Sequence, residues 1–432
     1  MSTNKKWGIL IGLQKTTPNI LLENDEEIIG RDQIDPNLRL VSSKHFSIKR
    51  IKNENKTTYV IKDSSSNGTY INDIYNGCDK ESEIDIYSFD VIIVLKKSEN
   101  NERLVSYLFL DTDTCKEINL TTKLFSNYTI ENFLGCGCFG KVFKIHKKND
   151  LNEKYAMKII PIVKKGYKEK SIKEFEIMKQ LPHQNIIHVY EIFTSENWCI
   201  ILLELCEDGD LSSYLTRKKL TYDESKLIMK QLLEAIRYSH SNFIVHRDIK
   251  FENILIELDN QDKIKNIKLT DFGLSKIVGK DFLTNTICGT RQYISPEMYQ
   301  NIYHRKEIMK NEKFSNEIKK KNREEEIKLQ LKYNAMKSDI WACGVLLYEM
   351  MLNKRPFHTQ EKHSPSKGNA NPQTLNFKLL LKGDFIKSDD YNNLPPECKD
   401  LIENMICLDP KNRFSAEECL QHEFFIGRKH LI

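Results

Sequence analysis

The sequence contains no apolar stretch long enough to cross a membrane, and no signal peptide is recognised in it. Its 11 cysteines include no C-x-x-C pair, which argues against both a disulfide framework and a paired-cysteine metal site. A strong excess of one charge is also lacking, because 66 Lys and Arg stand against 61 Asp and Glu. Direct binding to nucleic acid or to a membrane is therefore not predicted, and a reducing intracellular compartment is expected.

The 432 residues are enough for two or three domains, each with its own core. Residues 7–110 alternate apolar and polar side chains over short runs that are separated by Asn, Asp, Ser and Gly. This period predicts strands, and too little helical periodicity remains to cover a sheet. The predicted strands are residues 7–13, 27–30, 45–51, 58–63, 69–71, 91–94 and 104–110. An all-β sandwich is therefore predicted over residues 5–112.

Three polar motifs lie between these predicted strands: Gly30-Arg31, residues 43–46 and residues 63–72. In order and spacing they resemble the signature of forkhead-associated domains, which bind phosphothreonine. A phosphothreonine dianion requires a fixed guanidinium and several hydroxyl and amide donors that converge from neighbouring loops. The residues that match are Arg31, Ser43, Lys44, Ser66 and Asn67. The resemblance gives His45 a structural role, whereas Asn67-Gly68 taken alone would indicate only a hairpin turn.

Residues 244–256 place a polar centre, with Asp248, Lys250 and Asn253, between apolar flanks. This spacing lets a carboxylate meet a substrate hydroxyl while an amide oxygen reaches a metal ion. Asp271-Phe-Gly follows, and the ordered motifs resemble those of the protein kinases. The alternative, a buried loop of satisfied polar groups, does not explain why the other kinase motifs recur in order. The fold expected is an all-β forkhead-associated sandwich followed by an α+β bilobal protein kinase domain at residues 125–426.

The kinase resemblance implies ATP and Mg²⁺ as cofactors. The glycine-rich pattern at residues 134–142 also fits a dinucleotide fold, but here a second strand follows it rather than a helix. The implied catalytic residues are Asp248, Lys250, Lys158 and Glu174, with Glu174 preferred to Glu176 as the partner of Lys158. The implied metal ligands are Asn253 and Asp271. The residues implied to bind ATP are Leu134, Gly135, Gly137, Gly140, Val142, Ala156, Lys158, Leu203, Glu204, Cys206, Asp210 and Leu255.

The resemblance also implies a switch and a substrate preference. Thr286 matches the position at which relatives are activated by phosphate, and Thr290 is the competing candidate, which in the family contacts the catalytic loop. The cations expected to receive the phosphate are Arg247, Lys276 and Lys170. Asp210 and Glu252 match positions that meet basic residues of the substrate. We therefore expect a preference for Arg three residues before the phosphorylated Ser or Thr.

Three segments lie outside the motifs. Residues 113–124 are predicted to be a short linker that keeps the domains close to one another. Residues 298–332 are strongly charged and lack Gly and Pro, which predicts a solvated helical insertion. Its basic run at residues 319–323 fits a nuclear import signal or, more simply, a charged surface. Residues 358–376, rich in Ser, Asn, Pro and Gly, are predicted to form a loop.

The order of the two domains resembles the checkpoint kinase 2 group of the DNA-damage response. This implies a nuclear serine/threonine kinase that binds phosphothreonine proteins and self-associates for phosphorylation in trans. One departure is that Thr359-Gln360 is the sole Ser-Gln or Thr-Gln dipeptide, so activation through a cluster of such sites is not expected. Two alternatives stay open at this point: a phosphopeptide-binding scaffold with an inert kinase domain, and a kinase of a non-checkpoint cascade.

Overall fold

The structure is a computed structural model, and it describes residues 6–54, 56–75, 82–96, 103–137, 140–163, 166–279, 283–284, 288–311, 333–359, 374–382, 385 and 388–427. The chain divides into two compact units. One comprises Met1–Ile172 and Val189–Leu205, and the other comprises Lys173–His188 and Cys206–Ile432.

The first part of the first unit is a β-sandwich of two antiparallel sheets, as the alternating pattern predicts. Its strands are β1 (Gly8–Gly12), β2 (Ile20–Leu22), β3 (Glu26–Ile29), β4 (Phe46–Asn53), β5 (Lys56–Asp63), β6 (Tyr70–Ile71), β7 (Ile74–Tyr75), β8 (Glu83–Ile86), β9 (Val91–Lys96) and β10 (Arg103–Asp111). One sheet has the order β2-β1-β10-β9-β6-β7 and the other has the order β3-β4-β5-β8. The short helix α1 (Arg31–Ile34) follows β3.

A third sheet completes this unit. It contains β11 (Tyr128–Gly137), β12 (Gly140–Lys147), β13 (Asp150–Pro161), β14 (Val189–Thr194) and β15 (Trp198–Leu203), in the order β11-β12-β13-β15-β14. The helices along this part of the chain are α2 (Thr112–Thr122), α3 (Leu124–Asn127) and α4 (Tyr167–Lys179).

The six-stranded sheet is buried on both faces. In β9, Ile92 and Val94 lie in the core of the sandwich, whereas Val91 and Ile93 pack in a second core with side chains of the five-stranded sheet. That second core includes Phe143 and Met157 among other apolar residues of β11, β12, β13 and β15. A run of apolar residues without alternation is typical of a strand buried on both faces. The sandwich therefore shares a hydrophobic core with the sheet that follows it.

The segment predicted as a linker is largely helical. The Asp111 side chain caps α2 by accepting hydrogen bonds from the backbone of Asp113 and Thr114. Ile118 is fully buried in the second core, and Glu117 accepts two hydrogen bonds from Asn197, of 2.8 and 2.9 Å. These contacts hold α2 against the second core and against the turn that contains Asn197.

The second unit is mainly helical. Beyond α4 its helices are α5 (Leu211–Leu215), α6 (Tyr222–Ser241), α7 (Pro296–Asn311), α8 (Ala335–Leu352), α9 (Phe377–Lys382), α10 (Asp389–Asn392), α11 (Pro396–Met405), α12 (Ala416–Leu420) and α13 (Glu423–Ile426). Four antiparallel strand pairs join them: β16 (Ile244–Val245) with β19 (Lys276–Ile277), β17 (Ile254–Leu258) with β18 (Ile264–Leu269), β20 (Leu283–Thr284) with β21 (Tyr333–Asn334), and β22 (His358–Thr359) with β23 (Thr374–Leu375).

Local signals explain the two longest helices of this unit. A capping box of Thr221 and Glu224 starts α6, whose apolar residues recur at helical spacing and are buried. The helix α8 is apolar on nearly all sides and is buried along most of its length, as expected of a central helix. In the part of the chain that the structure describes, no helix has the length and hydropathy needed to span a membrane.

The two insertions are described only in part. The helix α7 continues to Asn311, so the first part of the segment predicted as a helical insertion is helical. The basic run at residues 319–323 lies outside the described residues, as does most of the predicted loop at 358–376, whose ends form β22 and β23.

Candidate functional site

The forkhead-associated motifs of the sandwich meet around Arg31. Its Nε donates to the carbonyl of Val41 over 2.8 Å, and a second guanidinium nitrogen donates to the carbonyl of Arg39 over 3.4 Å. These bonds fix the guanidinium beside the loop that carries Ser43 and Lys44, both of which are exposed. A fixed guanidinium next to exposed hydroxyl and ammonium groups is the arrangement that a phosphate dianion requires.

Ser42, which the sequence interpretation did not include, joins this loop to the next one. Its Oγ accepts a 3.1 Å hydrogen bond from the backbone N–H of Ser66. Beside it, the side-chain amide of Asn67 donates to the carbonyl of Leu40 over 2.8 Å. Ser66 and Asn67 are exposed, so both are accessible to a ligand. A single hydroxyl at position 42 carries no periodic signal, which is why the pattern of the sequence did not indicate it.

Two further residues bring these loops together. A Cβ on Gly30 would lie 1.8 Å from the carbonyl oxygen of Ser43, so only glycine permits this approach. The buried His45 donates its backbone N–H to Ile29, accepts a bond from Ser64 N, and accepts at Nδ1 from Ser42 N. Burial lowers the pKa of His45, which favours the neutral ring. His45 therefore supports the loops from below, as the resemblance implies.

The five-stranded sheet has two different faces. Met157 and Ile159 lie in the second core, so Lys158 between them points to the opposite face. Val142 pairs with Lys158 in the β12–β13 register, and Ala156 pairs with Leu203 of β15. Because each of these residues adjoins one that faces the core, all four lie on the face opposite the sandwich. The structure thus places four of the residues predicted to bind ATP on one surface of this sheet.

The glycines of the predicted phosphate-binding turn have different roles. A Cβ on Gly140 would lie 2.2 Å from the carbonyl oxygen of Ile159, so this glycine permits close packing of β12 on β13. A Cβ on Gly135 or Gly137 would meet nothing within 4 Å. Open space beside these two glycines leaves the backbone accessible to a phosphate group. Leu134 is exposed next to them.

In the second unit, the catalytic loop surrounds the carboxylate of Asp248, a buried residue that is 6% exposed. Oδ1 accepts hydrogen bonds from the Thr290 backbone and hydroxyl, at 3.0 and 2.7 Å. Oδ2 accepts from Lys250 Nζ at 2.7 Å and from Asn253 Nδ2 at 3.2 Å. Burial raises the pKa of Asp248, but the bonds from Lys250 and Thr290 outweigh burial and bring this pKa below its usual value. Asp248 is therefore an ionised acceptor at neutral pH.

The backbone of this loop is held by Asp339, a buried residue of α8. Its two carboxylate oxygens accept hydrogen bonds from the backbone N–H groups of His246 and Arg247, at 2.9 and 2.8 Å. His240 of α6 bonds the same carboxylate at 2.9 Å. Arg247 has a φ of 69°, a left-handed conformation that the carboxylate helps to maintain. His240 is thus a supporting residue of this loop that no motif in the sequence indicated.

Asn253 and Asp271 fit the donor set that Mg²⁺ prefers. The Asn253 amide nitrogen donates to the backbone carbonyl and to the carboxylate of Asp248, which leaves its side-chain oxygen as an acceptor. Thr270 N donates to the Asn253 carbonyl over 2.9 Å, which brings the two predicted ligands into neighbouring segments. Carboxylate and amide oxygens are hard ligands suited to magnesium.

The buried Glu174 of α4 lies beside the segment that contains Asp271 and Gly273, whereas Glu176 is exposed. A Cβ on Gly273 would lie 3.1 Å from a Glu174 carboxylate oxygen and 3.2 Å from Asp271 Oδ1. Because position 273 is a glycine, the carboxylates of Glu174 and Asp271 can both lie close to it.

The segment after Asp271 contains both candidate phosphorylation sites. Gly289 has a φ of 102°, and a Cβ there would lie 2.4 Å from the Arg247 carbonyl, so only glycine fits this close approach. It places Thr290 against Asp248 and Lys250, which agrees with a role for Thr290 at the catalytic loop rather than as an exposed switch. Thr286 lies outside the described residues.

The predicted phosphate-receiving cations are partly placed. Lys276 Nζ donates to Thr284 Oγ1 over 3.1 Å. Burial, together with the positive charges of Arg247 and Lys173, lowers the pKa of Lys276. Lys173 is therefore an electrostatic neighbour that the sequence analysis did not name, whereas Lys170, in the first unit, is an exposed residue of α4. Lys170 and Lys173 are one helical turn apart, so their spacing in the sequence could not show which of them lies near Lys276.

The remaining predicted residues have identifiable positions. Asp210 caps α5 through two 2.8 Å hydrogen bonds from Ser213, and it forms a backbone bridge with Leu255. Glu252 is exposed, and Cys206 is buried at the start of the segment leading to α5. Glu204 is half-buried just after β15.

An ion pair braces the end of the segment that follows Asp271. Glu297 receives two hydrogen bonds from the fully buried Arg413, at 2.8 and 3.1 Å. Ser338 also donates to Glu297, and its hydroxyl lies 3.0 Å from that of Ser295. The buried Ser295 therefore has a polar partner for its hydroxyl group.

The protein kinase domain family matches residues 128–314 and 323–425, and the FHA domain family matches residues 28–93. The first match covers more than half of the chain.

Similar proteins include two from Dictyostelium discoideum, the probable serine/threonine-protein kinases fhkC and fhkE. Each is 30% identical over 98% of this chain, which spans 65% of the first and 54% of the second. A crystal structure of Rad53 residues 1–466 in complex with AMP-PNP is similar in fold, with a TM-score of 0.50 and 24% identity over 97% of this chain and 100% of that one. The chain therefore belongs to the protein kinase family, and it carries a forkhead-associated domain before its protein kinase domain.

Proposed function

We propose that the chain transfers the γ-phosphoryl group of ATP to Ser or Thr hydroxyls of proteins. The observation that carries this proposal is the environment of Asp248, an ionised carboxylate held between Lys250, Thr290 and Asn253. Similarity to kinases named as serine/threonine-specific supports the choice of hydroxyl.

Each group has a role that follows from its position. Asp248 accepts a hydrogen bond from the substrate hydroxyl and orients the oxygen toward the phosphorus. Its neighbour Lys250 carries a positive charge that stabilises the negative charge of the transferred group. Burial lowers the pKa of Lys250, but the Asp248 carboxylate beside it outweighs burial and raises this pKa above its usual value. The ammonium group is therefore retained at neutral pH.

The nucleotide is expected to bind through residues named from the family. Lys158 contacts the α- and β-phosphates, while Val142, Ala156 and Leu203 contact adenine. Mg²⁺, held by Asp271 and Asn253, would neutralise charge on the phosphate oxygens.

The first test is phosphate transfer by the purified chain beside an Asp248→Asn variant. The substitution keeps the shape of the side chain but removes the charge that accepts the hydroxyl proton. We expect kcat to fall by at least about a hundredfold, the lower range for general-base catalysis. A matched control is Asp259→Asn, in an exposed turn of the same unit. Undiminished turnover by the Asp248 variant, with an unchanged unfolding midpoint, would contradict the proposal.

The substrates are proposed to carry Arg three residues before the phosphorylated site. Support comes from Glu252, an exposed carboxylate four residues after the catalytic Asp248. An exposed acidic group near the transfer site favours a cationic side chain of the substrate. A positional peptide library measures this directly: enrichment of Arg at that position is expected, and a flat profile would exclude it.

The forkhead-associated domain is proposed to recruit phosphothreonine proteins, including phosphorylated copies of the same chain. Recruitment raises the local concentration of a second copy and so favours phosphorylation in trans. A nuclear checkpoint role is the pathway that the domain order suggests. It predicts that activity in cell extracts rises after DNA damage, and an unchanged activity would favour another cascade.

A further inference from the structure

The hairpin of β11 and β12, which carries the glycine-rich turn, is held by charged side chains of the sandwich. On β11, the carbonyl of Phe133 accepts a 2.5 Å hydrogen bond from Arg103, whose guanidinium carbon lies 4.8 Å from the centre of the Phe133 ring. On β12, Lys141 Nζ lies 2.5 Å from Asp90 Oδ1. The sandwich therefore contacts both strands of this hairpin, on either side of the turn.

Arg103 and Asp90 are themselves fixed by a single turn of the sandwich. Asp73 binds Arg103 through both carboxylate oxygens, at 2.5 and 3.3 Å, and also binds Lys96. Asn72 Nδ2 donates to Asp90 over 2.7 Å. Asn72 and Asp73 have φ values of 51° and 71°, as in the tight two-residue turn of a β-hairpin. This Asn72–Asp73 turn thus orients the groups that contact the kinase hairpin.

These ion pairs are largely shielded from water. The side chain of Asp90 is 7% exposed and that of Lys141 is 19% exposed. Arg103 is also 19% exposed, and part of its remaining surface covers Phe133. Shielded, well-aligned pairs resist screening by salt, and removing one partner leaves the other charge buried without compensation. The contacts are therefore able to hold the backbone of the hairpin in place.

Gly135 and Gly137 of the glycine-rich turn have no side chain that could hold them, and a Cβ at either position would meet nothing within 4 Å. The flanking strand residues are therefore the groups through which the sandwich can position these two glycines. Phe133 and Lys141 are the flanking residues that the sandwich contacts, and the next residue, Val142, pairs with Lys158. Fixing both strands fixes the turn relative to Lys158.

We propose that Asp90 and Arg103 of the forkhead-associated domain are positioning residues for ATP, which hold the phosphate-binding turn of the kinase domain through Lys141 and Phe133. The proposal rests on the kinase activity proposed above. It makes the sandwich part of the nucleotide-binding apparatus in addition to its role as a phosphopeptide module. These residues therefore affect KM for ATP and not kcat for phosphate transfer.

The test uses the full chain with Asp90→Asn and, separately, Arg103→Met, which keeps the length of the side chain but loses both charge and hydrogen bonds. We expect KM for ATP to rise about tenfold, as for the loss of one charge-assisted hydrogen bond, with kcat at saturating ATP and KM for the peptide within about twofold of the wild type. Arg103→Lys, which keeps the charge, is expected to recover most of the loss. Hydrogen exchange of the β11 and β12 amides is expected to be faster in both variants.

The matched control is Asp25→Asn, which removes an equally short ion pair, the 2.5 Å contact with Arg50, from another part of the sandwich. Its KM for ATP is expected to match the wild type. An unchanged KM for ATP in both test variants would overturn the proposal. So would an equal fall in kcat for all three variants, because that indicates general destabilisation.

The two proposals fail in different ways. If the wild-type chain transfers no phosphate, the proposed function fails. Titration with AMP-PNP and hydrogen exchange then still test positioning, since neither needs turnover. Weaker AMP-PNP binding by the Asp90 and Arg103 variants, but not by Asp25→Asn, would support it, and equal binding would overturn it.

Discussion

At the scale of single residues, burial and hydrogen-bond partners separate groups that act on ligands from groups that support them. Arg413 and Asp339 are almost fully buried: Arg413 is paired with Glu297, and Asp339 accepts hydrogen bonds from two backbone N–H groups. Arg31 is different, because the residue is only half-buried and, within the part of the chain that the structure describes, its guanidinium is held by two carbonyl groups and by no carboxylate. A cation fixed without an anionic partner is suited to bind an anion.

Replacing Arg31 tests this directly. Arg31→Ala is expected to weaken binding of a phosphothreonine peptide by roughly 1.5–3 kcal/mol for each charge-assisted bond lost, and so to abolish it at micromolar peptide. Turnover of ATP is expected to stay at the wild-type value. Fluorescence anisotropy with a labelled phosphothreonine peptide measures the change. Arg39→Ala, an exposed neighbour, serves as the control, and retained binding by Arg31→Ala would place the site elsewhere.

At the scale of elements, the segment between Asp271 and Glu297 packs against the catalytic loop and also lies near several positive charges. Its end is fixed, because Gly289 and Thr290 pack against the catalytic loop. Near its start, the half-buried Lys276 is exposed to the positive charges of Arg247 and Lys173. Clustered cations repel one another, and a dianion near them would relieve that repulsion. The segment is therefore suited to a switch operated by phosphate.

We predict that Thr286 is the residue whose phosphorylation operates this switch. After phosphatase treatment, wild-type protein is expected to regain activity with ATP as phosphate appears at Thr286, whereas Thr286→Ala is expected to stay at the basal rate. Mass spectrometry and a parallel activity assay measure both quantities. Thr284→Ala is the comparison, because the Thr284 hydroxyl is buried against Lys276. A Thr286→Ala protein that activates as fast and as far as wild type would contradict the prediction.

At the scale of the molecule, the forkhead-associated domain and the five-stranded sheet of the kinase domain share one core. Phe89 illustrates the fit: it is fully buried, has a left-handed φ of 70°, and packs edge-on against Trp198 at a ring distance of 4.8 Å. A bulky residue holds such a backbone conformation only where packing compensates for it. The sandwich and this sheet therefore form one folding unit, held together by a shared core as well as by the connecting chain.

Deleting residues 1–111 tests this arrangement. The deletion exposes Phe143, Ile145, Met157 and Ile159, whose burial contributes roughly 1.5–3 kcal/mol each. We expect the remaining chain to aggregate or to unfold at a much lower temperature than the full chain. Size-exclusion chromatography and thermal unfolding measure this outcome. A monodisperse fragment with the unfolding midpoint of the full chain would show that the shared core contributes little.

The sequence by itself determined the chemistry and most of the strands, because those depend on local order. The spacing of Asp248, Lys250 and Asn253 within one loop already predicts their convergence, and the alternation in residues 7–110 predicts the sandwich. Only the tertiary structure decided which cation lies near Lys276 and what covers the second face of β9. Both depend on segments distant in the chain that pack together, and such packing leaves little signal in the spacing of neighbouring residues. The unbroken apolar run Val91–Leu95 was the one local sign that β9 is buried on both faces.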